Sequence, residues 1–180
     1  ADAERIMEII RQAQAQMRAL GSLQWQDGYP ARADIDRDIA RGYGYVFEKS
    51  DAAENPAAAE TPQKYDKGTV PGGVIAYGAV VFDGEPAYGA IDGAWLTGGD
   101  YVVLHRLAVA DGEKGRGVAA EFMRRTEALA RGRGVGSFRV DTNFDNRYML
   151  RMLERLRFAY CGKIIYESGE RLAFEKPLEA

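Results

Sequence analysis

Two parts of this sequence carry residue types that could do chemistry. His105 is the single histidine of the chain, and an imidazole, with an unperturbed pKa of ~6.5, exchanges a proton near neutrality. Further along, Lys114-Gly115-Arg116-Gly117-Val118-Ala119 combines glycines with basic residues. A turn that offers several backbone N–H groups to a phosphate needs residues without a Cβ, because the backbone must come close to the ligand. A helix starting there adds unpaired N–H donors and the positive end of its dipole. Lys114 and Arg116 bring fixed positive charge to a chain whose formal net charge is −3. The run reads as a pyrophosphate cradle, against the alternative of a glycine-rich turn before an ordinary helix. His105 is either placed to exchange such a proton or a packed histidine bonded to a neighbour.

The type of cradle can be narrowed. No G-x-x-x-x-G-K-[ST] is present, so it is not a Walker A loop. Ala120 and Asp141 loosely meet the demands of a dinucleotide-binding G-x-G-x-x-G/A turn. Such a turn ordinarily follows the first strand, however, and this one follows several.

Those strands and the helices around them are legible from periodicity. Ile6, Ile9, Ile10, Ala13, Met17 and Leu20 form one apolar stripe, which predicts an amphipathic helix over 3–20 stopped at Gly21. A loop, 24–30, holds Trp25 and Tyr29, and a short helix follows from about Ala33 to Arg41. Strands are predicted at Tyr43–Lys49, Val74–Phe82, Pro86–Trp95 and Tyr101–Val109, with Asp83-Gly84 as a hairpin signal between the second and third. Residues 50–72 are polar, aperiodic and contain Pro56, Pro62 and Pro71, which predicts a flexible insertion. After the cradle come a helix on which Val118, Phe122 and Leu129 share a face, a strand at Ser137–Thr142, a helix at Asn146–Leu156, and a closing hairpin, Phe158–Glu167 with Arg171–Lys176. Only the strands flanking the cradle helix are joined by a crossover, so that pair can be parallel and the rest antiparallel. The expected architecture is α/β (α+β): one domain over 1–180, with a mixed, mainly antiparallel central sheet flanked by helices.

With these elements in place, the cradle resembles the [RQ]-x-x-G-x-[GA] signature of the GNAT superfamily of N-acetyltransferases, with Lys114, Gly117 and Ala119 at its defined positions. The segment from Asn146 to Phe158 is similar to the superfamily's N-x-x-A-x-x-L-Y-E-K-L-G-F, matching at Asn146, Leu156 and Phe158. Leu153 stands where the family has Tyr, and Arg157 where it has Gly. The resemblance spans about residues 73–177 and implies that the parallel strands splay apart to admit a pantetheine arm. It implies acetyl-CoA as co-substrate, held by Leu107, Ala108 and Val109 of the preceding strand, by Lys114, Gly115, Arg116, Gly117, Val118 and Ala119, and by Asn146. In superfamily members that acetylate arylalkylamines, a histidine at a place similar to His105 serves as base. Leu153 removes the usual thiolate acid: Tyr148, Tyr160 and Tyr166 are near in sequence but none has the matching spacing, and protonation of the thiolate by water is the other route.

The acceptor expected is a primary amine of a small molecule, with Trp25, Tyr29, Tyr88 and Trp95 as candidate walls of its site. The alternatives are acetylation of a protein N-terminus or lysine, and a non-catalytic acyl-CoA-binding module, the latter motivated by Leu153 and Arg157. A pI near 5.4 leaves no electrostatic footprint for nucleic acid. No run of the sequence approaches a membrane span, and no metal site is evident. One cysteine, Cys161, excludes an internal disulfide and reads as a buried, inert thiol. A cytoplasmic setting is expected, a homodimer is left open, and neither nucleic acid nor membrane is an expected partner.

Overall fold

The apolar stripe near the N-terminus forms helix α1 (Asp2–Ala19), which buries Ile6, Met7, Ile9, Ile10 and Ala13. This computed structural model describes residues 2–49, 63–64 and 73–178. The chain folds as two compact units, Ala1–Val80 with Arg106–Arg125 and Val81–His105 with Thr126–Ala180.

In the first unit, helix α2 (Arg32–Ala40) follows α1. The carboxylate of Asp34 accepts the Ala31 N–H at 2.8 Å and so occupies one of the donors that a helix start leaves open. Strand β1 (Gly44–Glu48) pairs antiparallel with β2 (Gln63–Lys64) on one side and with β3 (Val74–Val81) on the other. Apart from β2, the insertion expected at 50–72 lies outside the described residues. Ile6, Ile9, Ile10, Ile35, Val46, Val74, Tyr77 and Ala108 build the core of this unit, with Trp25 and Ile39 packed against it. The end of strand β5 (Val102–Val109) and the start of helix α3 (Val118–Gly132) also belong here.

The second unit contains the start of β5, then β6 (Ser137–Thr142), helix α4 (Arg147–Arg155), β7 (Ala159–Tyr166) and β8 (Gly169–Pro177). β5 and β6 are parallel, and their registered pairs are Val102 with Phe138 and Val103 with Arg139. β8 runs antiparallel to β6 and to β7. The sheet is thus mainly antiparallel with one parallel pair, as the crossover argument requires. Phe138 and Phe158 meet edge to face at 5.1 Å inside a core that also buries Val102, Val103, Val140, Leu153 and Ile164. Asn146 lies one residue outside α4 and caps it, its side chain accepting the Met149 N–H at 3.2 Å.

Two local departures from the sequence reading have physical causes. The strand expected at Pro86–Trp95 and its hairpin are absent: Pro86–Ala90 is a turn of 3₁₀ helix, and only Asp92–Gly93 (β4) is extended, pairing with β7. Pro86 has no N–H to give a ladder, and the Glu85 carboxylate accepts the Ala87 N–H at 3.2 Å, so the chain turns instead of returning along β3. The second concerns Arg157, which stands where the resemblance expects glycine and has φ 63°. The turn that stops α4 demands a left-handed residue, and this chain accepts that strain in a non-glycine side chain.

β4 lies very close to β7. A Cβ on Gly93 would sit 2.2 Å from the Cys161 carbonyl oxygen, and one on Gly162 would sit 2.2 Å from that of Asp92. Gly93 also has φ 144°. Gly93→Ala should therefore destabilise the protein by about 1–3 kcal/mol. The melting temperature in a thermal scan should fall by several degrees, and an unchanged value would show that β4 is free to shift.

Candidate active site

Between β5 and α3 the chain makes a tight passage at Asp111–Glu113, then reaches Gly115 and Gly117 with φ 76° and 84°. Both glycines take the left-handed conformation that side chains disfavour, and α3 begins at Val118. The first N–H groups of a helix have no partner within it, so the turn presents donors where the dipole is positive. An open cleft of about 540 Å³ lies here, lined by Phe47, Glu48, Ile75, Arg116, Gly117, Val118, Glu121 and Arg124. Lys114 pairs with Asp111, and Arg116 lies 3.4 Å from Glu113. Arg116 is exposed, and an exposed pair is worth little, so its guanidinium can turn to an anion in the cleft. Donors, positive charge and space coincide, as a diphosphate requires.

β5 is not a uniform strand. Arg106 has φ 56°, a left-handed residue within it. Its guanidinium grips the buried Asp38 of α2 with two hydrogen bonds, 2.7 and 2.6 Å, and donates a third to the Tyr29 hydroxyl at 2.8 Å. Tyr77 donates to the same carboxylate at 2.7 Å. Burial alone would lower the pKa of Arg106, but the bonds with Asp38 and the charge around Tyr29 outweigh it and raise it. The fork geometry suits a permanently charged pair. Loop 24–30, α2, β3 and the end of β5 are thereby tied at one point.

His105 lies in the second unit. Glu85 Oε2 is 3.1 Å from its Nε2, and Asp141 Oδ1 is 4.0 Å from its Nδ1. The Glu85 oxygen lies off the ring N–H direction, so among the described residues the buried Nε2 makes no in-line hydrogen bond. Tyr88 donates its hydroxyl to Asp141 Oδ1 at 2.6 Å, and Tyr166 does so at 3.4 Å. Burial raises the pKa of both phenols, and the Asp141 charge raises them further, so both remain proton donors near neutral pH. Glu85 is itself held: its backbone N–H donates to Tyr101 Oη at 3.2 Å, and its other carboxylate oxygen accepts from Ala87.

Beneath this group is a second ionic cluster. Glu175, fully buried in β8, accepts from the Ser137 hydroxyl, the Leu96 N–H, the Thr97 hydroxyl at 2.6 Å and Arg139 Nε at 3.1 Å. Burial pushes its carboxyl up, but the hydrogen bonds outweigh it and hold the pKa below the usual range. Arg139 stacks over Trp95 at 4.4 Å and Tyr101 at 4.0 Å. Cys161 is buried, and burial followed by the Glu175 charge raises its thiol pKa, which suits an inert thiol.

The sequence-derived candidates divide between the units. Leu107, Ala108, Val109, Lys114, Gly115, Arg116, Gly117, Val118 and Ala119 lie in the first, together with Trp25 and Tyr29. Arg116, Gly117 and Val118 line the cleft itself, whereas Trp25 packs on the core and Tyr29 takes up Arg106. His105, Asn146, Tyr88 and Trp95 lie in the second. Tyr88 is fully buried against Asp141, with its ring 6.5 Å from that of His105, and Trp95 packs on Tyr88, donating its indole N–H to the Tyr88 carbonyl at 2.9 Å. Leu153 is fully buried and supplies no acid. Glu85 escaped the sequence reading because Asp83-Gly84 suggested a hairpin. The signal for it was an acidic residue directly before proline, a helix-start pattern that fixes its carboxylate. Among the described residues no group of side chains could hold a metal ion, and no helix is long and apolar enough to cross a membrane.

The acetyltransferase (GNAT) family model matches residues 17–158. A GNAT-family acetyltransferase from Streptococcus agalactiae has a crystal structure 33% identical to this chain, covering 99% of it and 91% of that chain, with a TM-score of 0.79. A GNAT-family acetyltransferase from Listeria monocytogenes is 18% identical over 98% of this chain and 90% of that one, with a TM-score of 0.68, a likeness of fold. The structure of a NatC complex bound to Gag peptide and CoA is 13% identical over 83% of this chain and 80% of that chain, with a TM-score of 0.55, again a likeness of fold. No curated protein sequence matches this chain significantly.

Proposed function

The chain belongs to the acetyltransferase (GNAT) family and is an N-acetyltransferase, and from this premise we propose that it acetylates the primary amine of a small molecule, with acetyl-CoA as acyl donor. The observation that carries the choice of acceptor is the seclusion of the His105 group. The side chains of His105, Glu85 and Asp141 are 18%, 23% and 11% exposed, and the buried Tyr88 ring lies 6.5 Å from the imidazole. A compact amine suits such surroundings better than an extended peptide does, and two carboxylates favour a cationic ammonium.

The α3 turn, through Arg116, Gly117 and the helix N-terminus, holds the CoA phosphates in this reading. Bound there, acetyl-CoA supplies an acyl group already activated as a thioester. His105 takes a proton from the acceptor ammonium, and the freed nitrogen attacks the thioester carbonyl carbon. The N–C bond forms and the C–S bond breaks. Water protonates the departing thiolate, since Leu153 offers no proton, and the hydroxide left behind takes the second proton of the acylated nitrogen, so that the amide is neutral and the net proton released is the one on His105. Proximity supplies much of the rate, and the positioned base a further 10²–10⁴-fold, roughly.

A panel of small primary amines, N-terminal peptides and lysine peptides, read by release of free thiol from acetyl-CoA, tests the acceptor. The fastest turnover should fall on a small amine, and release with peptides alone would overturn the reading. The phosphate site has its own check. A Cβ at Gly117 meets nothing within 4 Å, so Gly117→Ala adds only backbone strain, while Gly117→Glu adds bulk and negative charge. By calorimetry, Gly117→Glu should bind acetyl-CoA about 10²-fold more weakly than Gly117→Ala, the scale of a close like-charge contact. Equal affinities in the two folded variants would place the phosphates elsewhere.

A further inference from the structure

We infer that Glu85 is a positioning residue for His105: it holds the proton of the neutral imidazole on Nε2 and leaves Nδ1 as the atom that accepts the proton of the acceptor amine. This rests on the reading of His105 as the base. Glu85 Oε2 is 3.1 Å from Nε2, and Nε2 is buried. A lone pair at a buried nitrogen that close to a carboxylate would be repelled, whereas an N–H there is attracted even off line. Nδ1 is left with the lone pair. It faces Asp141 at 4.0 Å, too far for a direct hydrogen bond, and Asp141 is already engaged by the Tyr88 hydroxyl at 2.6 Å.

The fold fixes Glu85 before any substrate arrives. Pro86 sets the backbone, the Ala87 N–H binds one carboxylate oxygen, and Tyr101 receives the Glu85 N–H. In the proton transfer, an acceptor N–H bond breaks, its electron pair stays on the amine nitrogen, and an Nδ1–H bond forms. The positive charge of the ammonium becomes that of the imidazolium, which then lies between two carboxylates, with the Tyr88 and Tyr166 hydroxyls on Asp141. Neither phenol needs to change its protonation.

His105 is the only histidine, so a long-range ¹H–¹⁵N spectrum of the intact protein, at a pH where the ring is neutral, reports it alone. The expected result is the Nε2–H form, with the Nδ1–H share rising in Glu85→Gln, which keeps the acceptor for the Ala87 N–H. Glu85→Gln should also lower kcat roughly 10–100-fold, as loss of other histidine-orienting partners does, with KM for acetyl-CoA unchanged. Combining it with His105→Gln should cost nothing further, because Glu85 acts through the ring. An Nδ1–H ring in the wild type overturns the inference even if Glu85→Gln does not fold, and so do losses that multiply in the double variant. A slow His105→Gln with either of those results leaves His105 the base and removes only the role of Glu85, whereas a His105→Gln variant at full rate removes both.

Discussion

Replacing His105 with alanine is expected to lower kcat/KM for an amine acceptor by roughly 10²–10⁴, the usual worth of a positioned general base, which is about 3–5 kcal/mol of transition-state stabilisation. Affinity for acetyl-CoA should hardly move, because the residues assigned to the phosphates lie on the α3 turn. His105→Gln should be as slow as His105→Ala, since an amide keeps the volume and the hydrogen bonding but takes up no proton. If the ring served only to fill space beside Tyr88, whose centroid is 6.5 Å away, alanine would lower the melting temperature and glutamine would restore both stability and rate. Thermal scans beside steady-state kinetics for the two variants separate these outcomes. A glutamine variant of near wild-type rate would eliminate His105 as the base.

The largest loss of stability is expected from Glu175→Ala. It removes one partner of a buried ion pair and leaves the Arg139 guanidinium, 6% exposed, without its carboxylate. Breaking such a pair costs about 3–5 kcal/mol, or very roughly 6–20 °C in melting temperature for a chain of this size. The same residue sets a pH dependence. Its folded pKa lies below the ordinary value, so the stability it confers is fully present above the unfolded-state pKa of ~4.3. That stability is lost as pH falls through the folded value. The wild type should therefore lose melting temperature in acid below about pH 4, and the Glu175→Ala variant should lose less over the same range. Parallel acid profiles in the two proteins would show that the carboxylate is not ionised in the fold.

What could be read from the sequence was local. The stripe on α1 and the glycines of the cradle act within a turn or two of chain, and both structures follow the pattern. The parallel pair followed from topology alone, because the chain crosses over through α3. The long-range partners had no such signature. Glu175 meets Thr97 and Arg139 across separations of 78 and 36 residues, and nothing near any of them in sequence marks the meeting. The His105 group is similar: its neighbours come from the 3₁₀ turn, from β6 and from the end of β7, so the histidine is visible in the sequence, Asp141 is marked only as an acid for a different ligand, and Glu85 is not marked at all. At 83–95 the hairpin signal of Asp83-Gly84 is overridden by Pro86, because the proline removes an N–H that a strand ladder needs.

The close approach of Gly93 and Gly162 bears on how the molecule avoids its own kind. β7 is an eight-residue strand with Tyr160 and Ile165 exposed on it, and a bare strand of that kind invites another chain to add to it. β4 pairs with it over two residues, and the Ala94 N–H reaches the Cys161 carbonyl at 3.0 Å. Lys163, on the same strand, adds a charge to that margin. Two glycines without side chains thus let a very short strand act as a guard against edge-to-edge aggregation, and selection at those positions would act through solubility as much as through the chemistry at His105.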